Sequence, residues 1–111
     1  FDRTCMHEFV LSLEKFHEET GVSAMDVAKA LIDKGIHPPT MYFPLIVHEA
    51  LMFEPTETES RETLEAAADM MREIFEEAKE NADSVKASPV STPISRPDEV
   101  LAARKPCVKR R

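Results

Sequence analysis

The sequence predicts an α+β fold, a small two-layer domain running strand-helix-strand-strand-helix, and three observations predict it. Residues 8–13 alternate with a period of two, the mark of a half-buried strand. A helix with both ends signalled occupies about 24–34, and an apolar stripe at helical spacing runs through about 61–80. Short strands with two helices suit a small antiparallel sheet covered on one face by the helices.

In residues 8–13, Phe9, Leu11 and Leu13 share one face, with Val10 and Ser12 on the other. Phe9, Leu13 and Phe16 also fit a helical stripe, so a helix over 6–19 stays open beside the favoured strand. Ser23 and Asp26 have the spacing of a capping box, flanked by Val22 and Val27 at the hydrophobic-staple positions. Val27, Ala28, Leu31 and Ile32 form the apolar stripe of this helix. Gly35 stands where a left-handed C-terminal cap is wanted, with Ile36 able to fold back toward Leu31.

Pro38-Pro39 stops further helix and removes two backbone donors. Met41-Tyr42-Phe43 is strand-like but ends at Pro44, which makes it an edge or a short strand. Leu51–Glu54 reads as another short strand, closed by Pro55. Leu64, Ala67, Ala68, Met71, Ile74, Phe75 and Ala78 then define the long amphipathic helix, with Glu59 and Glu62 where a helix N-terminus favours negative charge. Pro89, Pro93, Pro97 and Pro106 interrupt the remainder of the chain. The expected division is a domain over 1–82 and a proline-rich, extended basic tail over 83–111, with a helical turn possible at 98–104.

A chain of 111 residues fits one domain with a modest core. Its net charge of −7 argues against a nucleic-acid partner, since phosphate binding needs clustered Lys and Arg. No apolar run reaches the roughly 20 residues of a membrane span, and no basic-then-apolar leader is present. The opening Phe1-Asp2-Arg3 reads as part of something longer. Charge is uneven. Residues 54–80 carry ten acids against three bases, and residues 81–111 carry seven bases against three acids. A solvated acidic helix with a solvated tail explains this, as does a basic tail laid across an acidic surface. Cys5 and Cys107 form no CxxC pair and point to a reducing cytoplasm, although a disulfide between them stays open.

The histidines at 7, 17, 37 and 48 have no zinc-like spacing with cysteine, so no metal site is expected. Two glycines cannot make a glycine-rich phosphate loop. The candidates are His37, held by Pro38-Pro39, then Thr40, and Glu57 in the Glu54, Glu57, Glu59 cluster before the long helix. For His37 the plainer reading is a loop histidine bonded to nearby backbone; for the glutamates it is helix capping and solvation. The functional alternative for the glutamates is acid/base work with one shifted carboxyl. No complete catalytic constellation emerges from the residues alone.

Four segments, in order and in register, carry a family resemblance. They are His7-Glu8-Phe9-Val10-Leu11, then Asp26-Val27-Ala28-Lys29 with Leu31–Gly35, then His37-Pro38-Pro39-Thr40-Met41 with Phe43-Pro44, and Glu54–Ser60, which reads EPTETES. Across residues 5–80 the chain resembles the C-terminal region of the glycine decarboxylase family, the P-protein of the glycine cleavage system. The tail, through Arg104-Lys105-Pro106, is most similar to the second subunit of the two-subunit bacterial form.

The resemblance implies the small C-terminal domain of a pyridoxal-phosphate enzyme of aminotransferase fold type I. The full enzyme would decarboxylate glycine and pass the aminomethyl group to the lipoyl arm of the H-protein. Implied partners are the large domain of the same subunit, glycine decarboxylase subunit 1 and lipoylated H-protein, in the cytoplasm. The cofactor-bearing lysine of the family lies upstream, and none of the lysines here matches its context, so the segment alone should be inactive. His37, Thr40 and Glu57 become cleft-facing candidates. Many relatives of this fold hold a substrate carboxylate with a small-domain arginine, yet none lies between Gly35 and Ser60. A stand-alone metabolite-binding or protein-interaction module is the alternative.

Overall fold

The computed structural model describes residues 4–109; Arg110 and Arg111 of the basic terminus lie outside them. Strand β1 (Phe9–Ser12) leads into helix α1 (Glu14–Thr20) and then helix α2 (Ala24–Asp33). Strands β2 (Thr40–Met41) and β3 (Ala50–Phe53) come next, then helices α3 (Arg61–Glu80), α4 (Ala82–Ala87) and α5 (Glu99–Arg104). The sheet is antiparallel in the order β1-β3-β2, with Phe9 opposite Phe53 and Thr40 opposite Met52. The expected α+β class is therefore observed.

The favoured strand is observed, and the alternative of one helix over 6–19 is not, since helix begins only at Glu14. The alternating residues form β1, and Leu13 turns the chain into α1, where Phe16 packs edge-on against Phe75 with ring centroids 5.0 Å apart. Leu13 is buried, but Phe9 is half exposed, because the far end of the β1–β3 pair extends beyond the core.

Helix α2 is the centre of the core. The Ser23 hydroxyl accepts from the Asp26 N–H at 3.2 Å while the Asp26 carboxylate accepts from the Ser23 N–H at 2.9 Å, which completes the capping box. Val22 and Val27 are both fully buried beside it. At the other end Ile36 N–H donates to Leu31 C=O at 3.0 Å and Gly35 N–H to Ile32 C=O at 2.9 Å. This is the paired pattern of a Schellman cap, and Gly35 takes it with φ +78°, a conformation a Cβ would strain.

Helix α3 is roughly 30 Å long at 1.5 Å per residue, yet only Ile74 and Ala78 in its second half are buried. The first half stands clear of the core. The segment expected to be extended from residue 83 holds α4, whose Val85 joins the core, while Ser88 and Pro89 are also buried. Beyond it, Arg96 reaches back to Asp26 at 2.6 Å. This is a correction to the extended tail, and its cause is a set of contacts nearly sixty to seventy residues apart in sequence. The turn at 98–104 is helical, as α5, capped by Asp98. Cys5 and Cys107 are separate, exposed thiols.

Candidate functional site: an apolar groove beside the sheet

The clear half of α3, the outer end of the β1–β3 pair and the loop after α2 enclose a groove of about 650 Å³. Phe9 and Phe53, cross-strand partners, form one wall with rings stacked 5.1 Å apart at 10°. Leu64, Ala67, Ala68, Met71 and Phe75 of α3 form the facing wall, and Ile36, Pro38 and Pro39 form the end. The groove exists because Gly35 terminates α2 and the two prolines then hold an extended path. Its lining is mostly carbon, with His37, Thr40 and Glu54 as the polar groups.

The candidates therefore separate. His37 and Thr40 line the same groove and are joined there by Glu54. Glu57 does not; it sits in the exposed turn before α3, where the Thr56 and Thr58 hydroxyls meet at 2.7 Å and Glu59 N–H donates to Thr56 C=O. At the groove mouth, ligand atoms of His7, Glu8 and Glu54 lie within 4.8 Å of one another, all three residues exposed, with His7 Nδ1 3.7 Å from Glu8 Oε2. Antiparallel pairing makes this cluster, since the Phe9–Phe53 register sets Glu8 and Glu54 side by side. No spacing along the chain signals it, because it exists only once β1 and β3 pair.

Charged groups elsewhere are structural. Burial opposes ionisation of Asp26, but the Ser23 N–H and hydroxyl and the Arg96 guanidinium outweigh it and hold the carboxyl below its ordinary range. Asp33 behaves alike: desolvation is outweighed by the Ser91 hydroxyl and N–H and the Val90 N–H, so its pKa is also lowered. Lys34 is raised by its 2.8 Å hydrogen bond to Glu73, which ties α2 to α3. Among the described residues, Arg96–Asp26 is the only ion pair between the C-terminal arm and the body, and none joins that arm to the acidic face of α3.

Residues 2–96 match the family model described as "Glycine dehydrogenase, C-terminal domain". The chain belongs to that family. It is 63% identical over 109 residues to a Treponema denticola protein named "Probable glycine dehydrogenase (decarboxylating) subunit 2", covering 98% of this chain and 23% of that protein. Proteins with the same name from Thermosipho africanus and Thermotoga maritima are 59% and 57% identical, covering 95% and 92% of this chain and 22% of each relative. The chain thus spans less than a quarter of the length of these relatives. Its place in the glycine dehydrogenase family agrees with the motif resemblance, and all four motif segments contribute residues to the groove lining.

Proposed function

We propose that this chain is the C-terminal small domain of a glycine dehydrogenase (decarboxylating) subunit 2 and forms one wall of a substrate cleft completed by the preceding large domain. The observation that carries this reading is the groove: an open, carbon-lined surface with His37, Thr40 and Glu54 at its polar points, on a chain matching a C-terminal domain. In the whole enzyme, of aminotransferase fold type I, glycine loses CO2 and its aminomethyl group passes to the lipoyl arm of the H-protein. Subunit 1, the large domain and H-protein are the partners, and the setting is cytoplasmic.

Pyridoxal phosphate, the cofactor this family implies, does not fit this groove alone. Its lining contains neither lysine nor arginine, so it offers no amine for an imine and no cation for a phosphate. Cofactor binding belongs to the rest of the enzyme. What this chain supplies is shape, exclusion of water and a few oriented polar atoms. The lack of a guanidinium also suits a decarboxylase, because tight pairing would stabilise the carboxylate that must leave.

The test uses the full-length subunit with its companion and lipoylated H-protein, measuring CO2 release from glycine. H37A and T40A are each expected to lower kcat/KM about tenfold or more, and E57A to have the smaller effect. Wild-type turnover in both groove variants would remove the cleft-wall role. The isolated chain mixed with pyridoxal phosphate is expected to show no imine absorbance.

A further inference from the structure

We propose that the turn Pro44–Val47, with Phe43 beside it, is a preformed apolar prong that seats in an uncharged pocket of a companion subunit. Val47 N–H donates to Pro44 C=O at 3.0 Å, which places Leu45 and Ile46 at the two corners of a β-turn. They are 85% and 89% exposed, and Phe43 is 54% exposed. Turn corners ordinarily hold Gly, Pro, Asn, Asp or Ser. Here the most outward positions of the loop carry its largest aliphatic groups.

The run of chain that carries them has no fixed charge until Glu49. Residues 35–48 contain no Asp, Glu, Lys or Arg, in a chain where 32% of residues are charged. Depletion of charge with enrichment of aromatic and apolar side chains is the composition of an interface core.

The prong is also held rigid. Tyr42 and Glu49, at its two ends, adopt φ of +56° and +48°, a region that side chains other than glycine rarely enter. Tyr42 N–H donates to Ala50 C=O at 2.9 Å, and Leu13 N–H donates to Glu49 C=O at 2.9 Å. The Glu49 carboxylate accepts from Ala24 N–H at 2.5 Å, on the first turn of α2. A loop fixed in advance loses little freedom on docking.

Its position selects the partner. The match to a C-terminal domain places most of the relatives' length before β1, so the preceding domain joins at the Phe9–Phe53 end, beside the groove. The prong stands at the opposite end of the strand pair, where the Ser12 hydroxyl donates to His48 C=O at 2.8 Å. A second body is needed there, and the relatives' names, which number them subunit 2, supply one. This inference rests on the function proposed above.

The experiment introduces L45D/I46D, and separately L45S/I46S, into the full-length subunit. It measures association with the companion subunit by sedimentation, and melting of the lone subunit by calorimetry. The expected result is association at least tenfold weaker with an unchanged melting temperature. Unchanged association overturns the prong. So does weaker association accompanied by lower melting of the lone subunit in both variants, which would place the loop inside its own polypeptide. A wild-type pair that neither associates nor releases CO2 from glycine would instead remove the functional reading beneath it.

Discussion

The seam between α2 and the C-terminal arm and the groove at the outer end of the sheet are made of opposite materials. Along the seam, Asp26 answers Arg96 and Ser23, while Asp33 accepts from Val90 and Ser91, so polar groups meet partners within the chain. Along the groove, stacked phenylalanines and the exposed half of α3 face each other across open space. The seam closes by hydrogen bonds that need no further body. The groove, like the prong, presents carbon surface that gains only when something else covers it. One small domain thus has a finished side and an unfinished one.

Both regions hang on the same core, so the largest effect comes from breaking it. Leu51 is fully buried in the central strand, and L51A is expected to cost about 2–5 kcal/mol in urea denaturation. The seam comes next. D26A removes the acceptor of the Ser23 N–H and the partner of Arg96 together, an expected loss of about 2–3 kcal/mol. R96A leaves Asp26 its capping bonds and is expected to cost about 1 kcal/mol, since that pair is partly open to water.

Acid should separate the regions without mutation. Asp26 and Asp33 have lowered pKa values in the folded chain, so the unfolded chain takes up their protons first. Their contribution is complete above the ordinary carboxylate value of 3.8 and is lost as pH falls through the lowered folded values. The protection of the Val90 and Ser91 amides, relative to unstructured chain at the same pH, is therefore expected to fall below about pH 4, while groove amides track global stability. The smallest effect belongs to the prong. L45S is expected to change the stability of this domain by less than about 0.5 kcal/mol, because the side chain it removes already faces water. A large loss there would mean the unfinished side is less open than its exposure implies.

Local signals in the sequence are enough for much of this. Ser23, Asp26 and Gly35 specify their helix ends through residues three to five apart, and the stripe from Leu64 to Ala78 specifies a helix of which only the second half buries its face. His37 and Thr40 reach the groove because the prolines beside them leave the backbone few choices. The features that escape such signals depend on distance in sequence. The Arg96–Asp26 pair spans seventy residues, the Asp33 contacts nearly sixty, and the Glu49 cap of α2 twenty-five. No periodicity encodes such meetings. Proximity along the chain groups Glu57 with Glu54, but β3 ends before both and the turn at 56–59 carries Glu57 away, so one carboxylate borders the groove and the other faces solvent.

Glu49 ties three pieces of chain at one point. Its carbonyl receives Leu13, its carboxylate receives Ala24, and its own left-handed backbone closes the loop that began at Tyr42. The loop is therefore not a portable part. Grafted onto another scaffold as residues 42–49, it would lose both hydrogen bonds that make its end conformation tolerable. Any transplant that keeps these bonds must run at least from β1 through α2 to β3, and it must still cover the face that Ile74, Ala78 and Val85 bury.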